Sequence, residues 1–189
     1  MSLNRHELFP TVLSGSMQKD LANQMLPLAK QYLSAGTYDA NKLDYKNIYI
    51  AGPNIKHDNN LTPFIDFILK AGAEHLESLQ YDSASIKLNP QIYVGEMLEN
   101  DFHNFHSHPG SILSGILYLQ VPEGSAPIVF RDPRPFRSFI NLPTKQSTSD
   151  VFLQPSEGLF LIWESWLGHE VPKNLSKEAR ITMVFNLGV

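Results

Sequence analysis

Residues 103–121 read HNFHSHPGSILSGILYLQV. The stretch divides at Pro109-Gly110, a turn signal. After it comes ILSGILYLQV, a run of strand length rich in Ile, Leu and Val. Before it, His103, His106 and His108 gather three of the chain's seven histidines. His106 and His108 are two apart, so on an extended strand they point to one face. Two neutral imidazoles on one face can hold Fe, Zn, Ni or Cu. An H-x-H pair is equally compatible with loop histidines satisfied by hydrogen bonds. His103, three before His106, is expected on the opposite face and outside any ligand set.

Similar runs continue along the chain: ASIKLN (84–89), QIYVGEML (91–98), APIVFRD (126–132), DVFLQP (150–155), GLFLIW (158–163), HEVP (169–172) and RITMVFNLG (180–188). Pro, Gly, Asn and Ser punctuate them. About eight strands after a helical segment indicate a mainly β, α+β chain: a double-sheet jelly roll with N-terminal helices packed outside. The helices are expected over Ser16–Ala35, capped by Ser16 and broken or kinked at Pro27, and over 62–79. In the second, Thr62 suits the N-cap and Pro63 the first turn, while Ile65, Ile68, Leu69, Leu76 and Leu79 share a face. No linker interrupts the 189 residues, so one domain is expected, helical over 1–83 and jelly roll over 84–189. The irregular stretch 133–150 is long for a β connection and suits the border of a site.

Composition narrows the chemistry. There are no cysteines, which removes disulfides, thiolate metal sites and thiol nucleophiles. A formal charge of -4 without a dense Lys/Arg run speaks against nucleic acid. Neither a signal peptide nor a spanning segment is expected, which suits a cytoplasmic protein. No Ser-His-Asp triad, P-loop or dinucleotide fingerprint is apparent.

Two later features strengthen the histidine reading. His169, in ESWLGHEVP, opens a strand 63 positions after His106. Arg180 opens the last strand, where an inward-facing guanidinium can grip a carboxylate with its fork; a surface pair with Glu178 or Glu170 is the alternative. His6, His57 and His75 have no partner at a telling spacing, and His75 reads as a polar position near the end of the second helix.

The ordered set H-x-H-P-G-S-x-L-S-G-x-x-Y-L, V-F-R-D-P-R, P-x-x-G-x-x-x-x-W-x-S-W-L-x-H-x-V-P and R-I-T-x-x-F-N resembles the small 2-oxoglutarate/Fe(II)-dependent oxygenases common in phage and bacterial genomes. The resemblance implies a double-stranded β-helix, cupin-like in outline, with Fe(II) on a facial triad, 2-oxoglutarate as cosubstrate and O2 as oxidant. It places His106 and His169 on the metal. It places Arg180 and Tyr118 on the distal carboxylate of 2-oxoglutarate, and Ser114 and Thr182 as small hydroxyl residues lining that pocket. At one position the chain departs from the wider superfamily. Two residues after the first histidine, where Asp or Glu is usual, stands His108. Either three imidazoles hold the metal, the reading favoured by the i, i+2 geometry, or a carboxylate such as Asp101 or Glu164 replaces His108.

Trp163 and Trp166 read as core packing, with Trp166 the candidate to wall the site and meet substrate. Asp132 and Arg134 read as an ion pair fixing the following loop, with Arg134 facing an anionic substrate as the alternative. The expected activity is hydroxylation of a small-molecule or protein substrate with release of succinate and CO2. A homodimer is compatible with the sequence. Rival readings are a cupin-type metalloenzyme without 2-oxoglutarate, which normally shows a glutamate shortly after the second histidine, and a non-catalytic jelly-roll module.

Overall fold

A computed structural model describes residues 11–35, 46–52, 58–134 and 150–189. His6, His57 and most of the 133–150 stretch lie outside the described residues. Among these, ten strands and two α-helices are present: β1 Leu13–Met17, α1 Lys19–Ala35, β2 Lys46–Ala51, α2 Thr62–Ser78, β3 Asn89–Met97, β4 His103–His106, β5 Leu113–Gln120, β6 Ile128–Arg131, β7 Asp150–Leu153, β8 Leu159–Glu164, β9 His169–Val171 and β10 Arg180–Gly188. The strands form two antiparallel sheets, a large one ordered β1-β8-β5-β10-β3-β2 and a small one ordered β4-β9-β6-β7. This is the expected jelly roll with helices on one outer face.

Each face of the large sheet has its own partner, and strand alternation sorts the residues between them. On β10, Ile181, Met183, Phe185 and Leu187 join one apolar cluster with Ala22, Met25 and Ala29 of α1 and Phe64 and Ile68 of α2. Phe64 meets Phe185 edge-on at 6.1 Å, and Phe67 meets Phe160 at 4.8 Å. The alternate positions, Arg180 and Thr182, therefore turn toward the small sheet. On the same face, Ile116, Tyr118, Leu161 and Trp163 pack with Ile128 and Phe130 of β6. The helices thus seal one side of the sheet, and the site occupies the other.

Several local expectations change. Ser16 does not cap α1; it pairs with Phe160 in β1, and the helix starts at Lys19. The helix continues through Pro27 without a break. Thr62 is the first residue of α2 rather than its cap, because a 3-10 turn, Asn59–Leu61, leads in, with Asp58 accepting the Asn60 N–H. Residues 83–85 form another 3-10 turn, not a strand. There Ser83 donates to Glu77 and Ser85 to Asp82, local bonds that compete with an extended backbone. His75 is buried and bonded through Nδ1 to the Ser14 hydroxyl at 2.8 Å, which ties α2 to β1.

Gly115 marks a close approach within the large sheet. A Cβ there would lie 2.3 Å from Phe185 Cζ and 2.6 Å from the Leu161 carbonyl oxygen. The second contact is backbone and cannot swing aside. Gly115→Ala should therefore cost about 3 kcal/mol of stability through overpacking. Denaturant unfolding of the two proteins measures this; an unchanged midpoint would contradict the close approach.

Candidate metal and cosubstrate site

β4 and β9 lie side by side, with His106 opposite His169. The ligand atoms of His106, His108 and His169 lie within 4.8 Å of one another, and no carboxylate joins this group among the described residues. His106 Nδ1 donates to the Asn104 carbonyl at 2.7 Å, and His169 Nδ1 donates to the Leu167 carbonyl at 3.0 Å. Those bonds fix the tautomer and leave each Nε2 with its lone pair free. His106 Nε2 is buried without a hydrogen-bond partner. Nε2 of His108 and Nε2 of His169 stand 3.4 Å apart. Two nitrogens bound at about 2.1 Å to one ion stand about 3 Å apart at a right angle. That pair is thus near ligating geometry, and the three donor atoms, spread over up to 4.8 Å, would close further around a divalent cation.

β4 ends at His106, so His108 is held otherwise than by strand pairing. Its N–H donates to the Ser165 carbonyl, and its own carbonyl accepts from Ser111 across Pro109-Gly110. Gly110 has φ +91°. Proline followed by a positive-φ glycine is the type II turn pattern. Ser165 is a node that sequence reading missed. Besides holding His108, its N–H donates to the Ile112 carbonyl, and its hydroxyl bonds Ser114, which donates to Asn186. Its signal is the serine of W-x-S-W, hidden between two more conspicuous tryptophans. Ser114 belongs to this support. It pairs with Asn186, whereas Tyr118 pairs with Thr182 four residues along the strand, roughly 13 Å away. Asp101 and Glu164, the alternative ligands, lie elsewhere: Asp101 accepts the Leu98 N–H, and Glu164 faces Tyr81.

Burial keeps the imidazoles neutral. It holds His106 below the ordinary histidine range, with the Asn104 hydrogen bond opposing. It pushes His108 down to about 4, assisted by the charge of His106, and His169 down to about 3. Neutral imidazole is the ligating form. Trp163, not Trp166, walls this centre. Its ring meets His169 edge-on at 4.9 Å and Phe130 at 5.0 Å, whereas Trp166 is 52% exposed.

Arg180 is 3% exposed on the inner face. Its Nη1 donates to the Ala126 carbonyl at 2.9 Å, its Nη2 points at Met97 Sδ, and the guanidinium stands 5.7 Å from the Tyr118 ring centroid. It makes no pair with Glu170, which binds Arg131 at 2.6 Å. The Tyr118 hydroxyl is buried without a hydrogen-bond partner, and burial pushes its pKa up, so it remains a donor. Thr182, opposite Tyr118, is buried beside them. A buried cation and a donor hydroxyl make a carboxylate receptor. Arg134 is exposed and binds Asp132 through its backbone N–H and its guanidinium.

His103 overturns the alternation argument. Between His103 and His106 the chain advances three residues while β9 advances two, from Val171 to His169. The extra residue is a bulge, and it returns His103 to the face of His106. The two rings stack at 3.8 Å between centroids.

Comparison with known proteins follows the same lines. Residues 91–186 match the model of a family described as "Putative 2OG-Fe(II) oxygenase". No curated protein matches the chain in sequence. Among solved structures, a Pseudomonas putida prolyl-4-hydroxylase superposes with a TM-score of 0.68 at 11% identity, over 94% of this chain and 92% of that one. A Trichoplax adhaerens prolyl hydroxylase in complex with a hypoxia inducible factor peptide fragment gives 0.59 at 12%, over 93% and 83%. HygX from Streptomyces hygroscopicus, with nickel and 2-oxoglutarate bound, gives 0.58 at 13%, over 94% and 83%. At these identities the likeness is one of fold. No helix among the described residues is long and apolar enough to cross a membrane.

The depressed imidazoles set a pH dependence for the metal-free protein. In the unfolded chain they titrate near about 6.5, so on acidification it takes up protons that the folded chain refuses. Stability is full above that pH and falls as the pH drops toward about 4, by roughly 1 kcal/mol per unit for each imidazole kept neutral. Denaturant titrations across this range should show the loss, and His169→Gln should reduce its slope by the share of one imidazole. A wild-type curve that stays flat would contradict the burial of these rings.

Proposed function

Because the chain belongs to a family of 2OG-Fe(II) oxygenases, oxidoreductases that use Fe(II), 2-oxoglutarate and O2, we propose that it hydroxylates a C–H bond of its substrate and releases succinate and CO2. His106, His108 and His169 hold the metal, and Arg180, with Tyr118 and Thr182, receives the distal carboxylate of 2-oxoglutarate. One observation carries this reading: three converging imidazoles on β4, on the turn that follows it and on β9 face the sheet that carries a buried arginine and a buried donor hydroxyl.

When bound, iron and 2-oxoglutarate supply the oxidising chemistry. The residues of this chain supply geometry and dryness. The Asn104 and Leu167 carbonyls orient two ligand rings, and Ser165 orients the backbone of the third. Arg180 aligns the cosubstrate by a charge-assisted fork, and Tyr118 adds a hydroxyl donor to the same carboxylate. Trp163 and Phe130 exclude water from the His169 side. Ser114 acts by holding Ser165.

The substrate class is a peptide or a small molecule. The peptide bound by the Trichoplax relative makes peptides the first class to screen. Trp166, exposed on the turn before His169, offers a flat apolar contact to such a substrate. Arg134, exposed and braced by Asp132 just after β6, offers a cation to an anionic substrate.

Aerobic succinate formation from 2-oxoglutarate tests the reading. Fe(II)-dependent turnover is expected even without substrate. Arg180→Ala should lower 2-oxoglutarate affinity by at least about 100-fold, consistent with loss of charged hydrogen bonds. Absence of 2-oxoglutarate binding to the metal-loaded wild type would end the proposal. For the third ligand, His108→Ala should weaken Fe(II) binding by about 100-fold or more. Unchanged Fe(II) affinity would remove His108 from the ligand set.

A further inference from the structure

His103 stands where the two halves of the site meet. Toward one end of β4 it stacks on His106 at 3.8 Å, with an interplanar angle of 29°. Across the strand pair it faces Val171. Val171 clusters with Met97 and Ala126, the residues whose sulfur and carbonyl meet the Arg180 guanidinium. Arg180 and the other three imidazoles are all near enough to His103 to act on it electrostatically. Along the pair, the metal group is at the His106–His169 rung and the arginine pocket is at the His103–Val171 rung.

We propose that His103 is a fourth functional histidine of this site, one that binds the cosubstrate rather than the metal, donating an imidazole N–H to a carboxylate of 2-oxoglutarate. The inference rests on the ligand and cosubstrate assignment made above. A dicarboxylate reaching from the metal rung to Arg180 must pass the His103 rung, because the bulge has brought that ring to the inner face. His103 is absent from the group whose ligand atoms converge, so a donor role to an anion suits it better than ligation. A single N–H directed at a carboxylate contributes enough to be read in a binding constant.

The test uses the full chain loaded anaerobically with Fe(II) and titrated with 2-oxoglutarate, following the visible charge-transfer absorbance of the complex. Fe(II) affinity is measured separately. His103→Ala should raise the 2-oxoglutarate dissociation constant by about 10-fold or more, with Fe(II) affinity unchanged. His103→Gln, which restores an N–H donor without the stacked ring, should recover most of the loss. An unchanged 2-oxoglutarate constant in His103→Ala overturns the proposal. So does a loss of Fe(II) affinity that accounts for the whole effect, since His103 would then merely hold His106 in place. If the wild type itself binds Fe(II) but not 2-oxoglutarate, the oxygenase assignment falls and takes this inference with it. That result differs from a wild type that binds and a variant that binds equally well.

Discussion

The pairing of β4 with β9 is the constraint on which the site depends. Both strands are short, four residues and three, and neither could hold its position alone. Their pairing sets His106 against His169, and β6 supports β9 from the other side through Phe130. On the outer surface, Phe105 lies over Gly168, and Arg131 stands above the Phe105 ring while gripping Glu170. The residues beside His106 and His169 are thus fastened to one another on the back of the sheet. The front is left to the imidazoles.

The large sheet solves a different problem. It must place a buried cation and a buried hydroxyl beside three converging imidazoles without exposing either to water. Alternation on β10 and β5 does this by sending Ile181, Met183 and Phe185 to the helices and Arg180, Thr182 and Tyr118 inward. The helices supply the apolar cover that makes a two-faced sheet stable. Ser165 then links the halves, because it holds His108 through its backbone and the large sheet through Ser114 and Asn186.

Much of this was legible in the sequence where a single strand or helix carries its own periodic signal. The helix after Thr62, the strands from Gln91 onward and the H-x-H, His169 and Arg180 set were all visible in that way. β1 and β2 were not. Leu13–Met17 reads LSGSM, without alternation, and becomes a strand because β8 pairs with it. Phe64 and Gly72 were missed on α2, where Gly72 lets the helix settle against Leu187. The fate of His75 depends on Ser14, 61 residues away, and no local pattern announces such a bond. The same limit applies to His103. Strand alternation was a sound rule, but the bulge that overrides it exists only in the pairing of two strands.

That bulge makes the site depend on counting as well as on chemistry. Asn104 and Phe105 separate two histidines that both face inward, where an uninterrupted strand would turn one of them out. The Phe105 ring has its own duty against Gly168, yet the number of residues in this interval matters more than their identity. Loss of one residue here would remove the bulge and leave the two histidines two apart, where regular alternation alone keeps both inward and His106 opposite His169. A single-codon deletion is thus absorbed by the bulge, whereas loss of both Asn104 and Phe105 would make the histidines neighbours and turn one imidazole out of the site while leaving every histidine in the gene.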